Sequence, residues 1–141
     1  MDVHSKHIRS YNMSQIKCKD TKPEIQVRKY LFSKGFRYRK NDKRYPGHPD
    51  IVLPKYKTII FVNGCFWHMH KDCKDFSLPK TNTEFWRNKL ERNQAHDDII
   101  YNQLKNMGWN IIVIWQCEIK NGLFEQRMEH IVNDLKYELK K

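Results

Sequence analysis

The stretch TIIFVNGCFWH, residues 58–68, is the part of the chain that decides the fold. Residues 58–62 are apolar on both faces of a strand, which predicts a central strand covered on both sides of a sheet. Asn63 and Gly64 end this strand. The chain then enters a loop, residues 64–80, that is rich in cysteine, histidine and aromatic side chains.

Two further strands and a helix are expected before the central strand. Residues 50–53 predict a strand, and the turn Pro54–Lys57 makes it a hairpin with residues 58–62. A short strand is expected within residues 36–40. Further upstream, Thr21-Lys22-Pro23-Glu24 is typical of a helix start, because Thr21 can cap, Glu24 can complete a capping box and proline fits the first turn.

The second half of the chain predicts a long helix, a strand and a last helix. Thr81–Glu84 indicates a second capping box, which opens a helix to about Met107. Residues 109–117 then form a continuous apolar strand, and residues 122–139 form the final helix. This order is typical of a mixed central sheet flanked by helices, as in restriction-enzyme-like nucleases. We expect one α/β domain over residues 21–141, preceded by a basic N-terminal arm, residues 1–20.

The positive charge is concentrated near the start of the chain. The formal net charge is +11, and residues 1–45 carry 13 Lys/Arg against 4 Asp/Glu. A basic segment on a balanced body indicates a polyanionic partner such as nucleic acid, although a merely solvent-exposed basic surface has the same composition.

The sequence offers no candidate membrane segment. No apolar run approaches the roughly 20 residues of a membrane helix, and the first residues lack a signal-peptide stretch. A cytoplasmic protein without a membrane partner is therefore expected.

Three of the four cysteines and one histidine predict a structural zinc site. Cys65, His70 and Cys73 lie in the loop, and Cys117 ends the predicted last strand, so that it can clamp the loop to the sheet. Cys₃His is a usual tetrahedral ligand set for Zn²⁺, and a metal stabilises a long loop that has no secondary structure. The alternative is a group of buried thiols and surface histidines. Cys18 has no evident partner.

Asp50 is the candidate ligand for a catalytic Mg²⁺. It stands between a Pro-Gly turn and a strand, where an acid can project into a cleft, although a plain turn or cap role fits the same position. The backbone carbonyl of Val62, across the hairpin, can complete such a site. His68 is not needed by the zinc and is a candidate general acid or base, or else a solvent-exposed histidine. Glu24 is a capping residue that can also serve the water network of a metal.

Seven segments together resemble the very short patch repair (Vsr) mismatch endonucleases in order and spacing. The Gly-Cys-Phe-Trp-His core is the most specific of them. The segments are Asn12–Ile16, Thr21–Glu24, Pro46–Val52, Phe61–His68, Thr83–Trp86, Gly108–Trp109 and Trp115–Cys117.

The resemblance implies a fold like that of type II restriction endonucleases, one structural zinc and a catalytic Mg²⁺. It implies nicking of one strand 5′ to the thymine of a T·G mismatch that arises from deamination of 5-methylcytosine. It gives Asp50 the role of metal ligand and His68 that of hydrolytic histidine, and Glu24 matches an acid near the family's active site. A functional link to a cytosine-5 DNA methyltransferase and to mismatch-repair proteins such as MutL follows from the same resemblance, in a monomeric, nucleoid-associated bacterial enzyme.

One departure from the family concerns Asn63, where a histidine often precedes the Gly-Cys pair. An amide can hydrogen-bond a phosphate or a water molecule, but it cannot carry a proton at neutral pH. The run of histidines found in some members is also replaced here by His70-Lys71-Asp72-Cys73, although both ligands remain.

Aromatic and basic side chains are the candidate DNA contacts. Phe66, Trp67 and Trp86 are expected to act as wedges that enter a weakened base step, with helix packing as the alternative for Trp86. Lys17 and Lys19 in the arm are expected to bind phosphates. Two other functions stay open: a restriction-type sequence-specific endonuclease on the same fold, and a zinc-stabilised DNA-binding module without catalysis.

Overall fold

Thr21 starts the first helix in the way its sequence predicts. The computed structural model describes residues 21–71, 73–74, 76–120 and 122–139, so the arm with Lys17, Lys19 and the motif at residues 12–16 lies outside the described residues. Helix α1 spans Lys22–Ser33, and the hydroxyl oxygen of Thr21 accepts the backbone N–H of Glu24 at 3.4 Å. Gly35, with φ +90°, follows the helix end.

Four strands form one mixed sheet in the order β1-β2-β3-β4. The strands are β1, Arg39–Lys40; β2, Ile51–Leu53; β3, Thr58–Asn63; and β4, Asn110–Trp115. The β1/β2 and β2/β3 pairs are antiparallel, whereas β3 and β4 run parallel. A 3₁₀ helix, Pro54–Tyr56, makes the turn between β2 and β3. The predicted α/β fold with a mixed central sheet is confirmed.

Three further helices complete the domain: α2, Thr83–Asn106; α3, Gln116–Lys120; and α4, Phe124–Leu139. The predicted capping box at the start of α2 was wrong. The cap is Asn82, in a left-handed conformation (φ 55°) and without a side-chain capping bond. The hydroxyl of Thr83 instead donates to the carbonyl of Pro79 at 2.9 Å, which ties the helix start to the preceding loop.

The predicted strand over residues 109–117 was too long. β4 ends at Trp115, and Cys117 lies in the first turn of α3. The backbone N–H of Trp115 donates to the carboxylate of Glu118 at 3.2 Å. The Glu118 side chain, three residues further along the chain, thus satisfies a backbone donor that a longer strand would use in the sheet. The apolar run therefore bends into a helix where a hydrogen-bonding side chain is available.

Helices cover both faces of the sheet, as the apolar run of residues 59–62 in β3 predicts. One core joins Ile60 and Ile114 of the sheet to apolar residues of α1 and α4, including Leu31 and Met128. The other core packs Ile59 and Phe61, among others, against α2 and Trp109. Since β3 and β4 are parallel and in register from Thr58↔Asn110 to Asn63↔Trp115, their carboxyl ends lie side by side. The loop after β3 and the helix after β4 thus start at the same edge.

Candidate active site and metal centre

Cys65, His70, Cys73 and Cys117 come together at that edge. One potential ligand atom from each residue lies within 4.8 Å of all the others. The Cys117 sulfur is 3.4 Å from Nδ1 of His70. In a tetrahedron with Zn–S of about 2.3 Å and Zn–N of about 2.0 Å, ligand atoms are roughly 3.5–3.8 Å apart. The cluster can hold a metal, and its donor set and spacing fit zinc.

Without a metal, the surroundings of these thiols favour their neutral form. Burial, followed by the neighbouring thiols, raises the pKa of Cys117 to about 12, and burial likewise raises the pKa of Cys65. Several thiolates in one partly buried place repel each other unless a metal offsets their charge. Trp115 flanks the cluster. Its indole stacks on the His70 ring, with ring centroids 4.0 Å apart and an angle of 8° between the ring planes.

A cleft of about 840 Å³ lies beside the cluster. It brings together every residue that the sequence analysis named as catalytic. These residues, with others that the sequence did not single out, are among its lining: Glu24, Asn41, Lys43, Asp50, Val62, Asn63, Trp67, His68, His96, Asp97, Tyr101 and Gln116. Residues from α1, β3 and α2 thus share one site.

Asp50 and Glu24, two of the three acids that line the cleft, interact directly. Burial first, and then the charge and hydrogen bond of Glu24, raise the pKa of Asp50 to about 7, while the N–H of Val62 and the charge of Arg28 oppose that rise. The N–H of Val62 donates to Oδ2 of Asp50 at 2.7 Å. Glu24 is only 3% exposed and lies 3.5 Å from the guanidinium of Arg28. Two close carboxyl groups supply the hard oxygen ligands that Mg²⁺ prefers.

His68 has a carboxylate partner that the sequence analysis missed. Its Nδ1 lies 2.5 Å from Oδ2 of Asp97, which belongs to helix α2. A carboxylate on one ring nitrogen fixes the orientation and tautomer of a histidine and leaves Nε2 for chemistry. The two residues are 29 positions apart, and no local pattern around Asp97 sets it apart from its exposed neighbour Asp98.

Asn63 lies at the base of the same cleft. It is 4% exposed, and its amide N–H donates to the phenol oxygen of Tyr101 at 2.9 Å. Burial raises the pKa of Tyr101 to about 12, so the phenol is neutral at physiological pH. The amide of Asn63 is therefore held by a neutral partner on α2.

The turn before Asp50 requires glycine at position 47. Gly47 has φ +79°, and a Cβ atom there would stand 2.6 Å from a side-chain carbon of Ile100. A larger residue would strain the backbone and push α2 away from the turn. The turn therefore packs closely on α2, and Asp50, which follows the turn, lines the same cleft as His68.

Aromatic side chains cluster where the loop meets the start of α2. Phe66, Trp67 and Trp86 contact one another with ring centroids 5.2 to 5.9 Å apart. Phe85, 58% exposed, extends the cluster, and the ammonium of Lys89 lies within about 6 Å of three of its rings. The three predicted wedge residues are neighbours in space, and none is among the buried core residues described.

Comparison with known proteins shows that the chain is a DNA endonuclease. The family model described as "DNA mismatch endonuclease Vsr" matches residues 1–75. The Type II nicking enzyme V.NmeAIP of Neisseria meningitidis serogroup A is 47% identical over 136 residues, 96% of each chain. DNA mismatch endonuclease Vsr of Escherichia coli is 39% identical over 119 residues, 84% of this chain and 76% of that one. The chain belongs to the Vsr family of DNA mismatch endonucleases.

A further relative agrees with this membership. The Type II nicking enzyme V.XorIIP of Xanthomonas oryzae pv. oryzae is 42% identical over 126 residues, 89% of this chain and 92% of that one. The described part of the chain contains no helix with the length and apolar character needed to cross a membrane.

Proposed function

We propose that this endonuclease nicks one DNA strand 5′ to the thymine of a T·G mismatch, by Mg²⁺-dependent hydrolysis of the phosphodiester. The observation that carries the proposal is the shared cleft, in which the Asp50–Glu24 acid pair and the His68–Asp97 pair lie together beside the half-buried rings of the aromatic cluster. A nuclease needs oxygen ligands for a cation, a base for water and a means of holding the DNA, and this cleft supplies all three.

Asp50 and the backbone carbonyl of Val62 would hold Mg²⁺, with Glu24 acting on its water molecules. When bound, the cation polarises the phosphate and offsets charge on the leaving oxygen. The close approach of Asp50 and Glu24 supports this assignment, because two buried carboxyl groups without a cation repel each other. Arg28 behind Glu24 orients that acid through their 3.5 Å contact.

His68 would take the proton from the attacking water through Nε2, since Asp97 occupies Nδ1. Asp97 then stabilises the imidazolium that forms and holds the ring in place. Asn63 would hydrogen-bond a phosphate oxygen or the water and would transfer no proton. Zn²⁺ on Cys65, His70, Cys73 and Cys117 would keep the loop that carries His68 rigid.

Phe66, Trp67 and Trp86 would enter the base step at the mismatch. Opening a step costs a few kcal/mol and is cheapest at a mispair, and each base stacked on an aromatic ring returns about 1–3 kcal/mol. Lys89 adds a cation beside the inserted rings. Lys17 and Lys19 of the arm would bind phosphates. A cytosine-5 DNA methyltransferase that creates the substrate, and repair proteins such as MutL, are the partners that this activity implies for a monomeric enzyme.

The deciding experiment compares end-labelled duplexes that differ only in one T·G or T·A pair. We expect one nick, 5′ to the mispaired thymine, only with Mg²⁺ and only in the T·G duplex. Asp50→Asn should abolish the nick, whereas Asp42→Asn, an acid outside the lining of the cleft, should retain it. Equal nicking of both duplexes would favour the restriction-type alternative, and binding without any nick would favour the DNA-binding module.

A further inference from the structure

Three basic side chains in and just after β1, beside the cleft, form no salt bridge with an acid in the part of the chain that the structure describes. We call Arg39, Lys40 and Lys43 the basic strip. All three are exposed, and in the described residues no carboxylate forms a salt bridge with them. Other basic residues nearby are engaged: the guanidinium of Arg37 lies 4.5 Å from the centroid of the Phe32 ring, and Arg44 pairs with Asp42. The strip is thus a positively charged surface whose three side chains form no salt bridge within the described residues.

The acid within this segment does not neutralise the strip. Asp42 accepts the backbone N–H of Arg44 at 3.0 Å and its guanidinium at 2.7 Å. These hydrogen bonds lower the pKa of Asp42 to about 2. The charge of Arg39 also lowers this pKa, but it contributes less than the hydrogen bonds from Arg44. Residues 39–44 carry four basic side chains and this one acid, so a net charge of +3 remains on the segment.

Backbone hydrogen bonds tie the strip directly to the active site. The N–H of Asn41 donates to the carbonyl of Asp50 at 3.1 Å, and both Asn41 and Lys43 line the cleft. Arg39 lies opposite Val52 and Lys40 lies opposite Ile51 in the β1/β2 ladder. Successive strand residues point to opposite faces, so Arg39 and Lys40 extend from the two sides of the edge strand β1. A duplex that crosses this edge can contact both side chains. DNA that approaches Asp50 from the β1 side of the cleft therefore passes the basic strip.

We propose that the basic strip binds the phosphate backbone of duplex DNA that flanks the cleaved bond. The strip is joined to the segment of Asp50 through the pairing of β1 with β2 and the hydrogen bond from Asn41. Phosphate contacts position a duplex without reading its sequence. The proposal rests on the family's action on DNA and does not require the T·G specificity proposed above.

The test is a triple variant, Arg39→Gln/Lys40→Gln/Lys43→Gln, in fluorescence-anisotropy titrations from 50 to 200 mM salt without added Mg²⁺. Each phosphate contact contributes about 0.9 to the slope of log K against log salt. Loss of three contacts should therefore flatten the slope by about 2.7 and weaken binding about tenfold or more at the lower salt. T·G and T·A duplexes should lose affinity by the same factor, because phosphate contacts carry no base information.

The matched control removes the same charge from exposed lysines that do not line the cleft, as Lys29→Gln/Lys105→Gln/Lys136→Gln. It should keep the parental slope. An unchanged slope in the strip variant, or equal flattening in the control, would overturn the proposal. Lys43→Gln alone, outside β1, should lower the slope by about 0.9 even if the triple variant is unstable. Failure of the mismatch proposal shows separately, as equal nicking of T·G and T·A duplexes by the parent enzyme.

Discussion

Replacing Asp50 by asparagine should stabilise the protein in the absence of Mg²⁺, although the same change should abolish cleavage. Burial and the nearby Glu24 raise the pKa of Asp50 from 3.8 to about 7, so ionising this acid in the folded state is unfavourable. Asparagine is close in shape, keeps an oxygen that can accept the N–H of Val62 and carries no charge. Function and stability are therefore in opposition at this residue.

The size of the effect follows from the pKa. Each unit of difference between folded and unfolded states corresponds to about 1.4 kcal/mol, so a rise of roughly three units gives at most about 4 kcal/mol above neutral pH. Between about pH 4 and 7 the folded state binds more protons than the unfolded one, and the parent's free energy of unfolding must fall as pH rises through that window. Above about pH 7 the destabilisation is complete. The asparagine variant lacks this fall.

Thermal melts of the zinc-loaded proteins without Mg²⁺, at pH 8 and pH 5, provide the assay. For a domain of this size, about 4 kcal/mol is a rise in Tm of roughly 10 °C at pH 8, and the advantage of the variant should shrink at pH 5. Added Mg²⁺ should stabilise the parent by about 1.4 kcal/mol at ten times its Kd and leave the variant unchanged.

The control variant, Asp42→Asn, should change the stability of the protein in the opposite direction. Hydrogen bonds from Arg44 lower the pKa of Asp42, so Asp42→Asn should lose stability at pH 8. If Asp50→Asn melts at or below the parental temperature at pH 8, the ionised Asp50 beside Glu24 does not destabilise the folded protein, and the reasoning fails.

Three other predictions concern separate parts of the site. Metal analysis should find about one zinc per chain, and Cys117→Ser should release it and expose the loop to protease; a folded parent without zinc would contradict this. Asp97→Asn should lower kcat by about tenfold or more with little change in KM, whereas the adjacent Asp98→Asn should match the parent; equal rates would remove Asp97 from the mechanism. Phe66→Ala and Trp67→Ala should each slow nicking of T·G duplexes at unchanged zinc content, and full activity in both would assign these rings to packing.

The sequence alone was sufficient for features that depend on local or strongly constrained chemistry. The apolar β3 and the caps around α1 follow from patterns a few residues long, and the structure has both. The four metal-binding candidates were found because thiols and imidazoles are few and their chemistry is specific, and they do converge. Local pattern was insufficient where hydrogen bonds compete: Glu118 turned the predicted end of β4 into a helix, and Asn82 replaced the expected cap of α2.

Only the tertiary structure decided how the site is supported. Asp97 meets His68 across 29 positions, and Tyr101 meets Asn63 across 38, because α2 packs on the face of β3 that carries Ile59 and Phe61. The strip beside Asp50 likewise depends on the pairing of β1 with β2. An aspartate or lysine on a helix or strand surface has the same local sequence whether it faces solvent or a cleft. Its role is set by the packing of distant segments, which leaves no periodic signal in the chain.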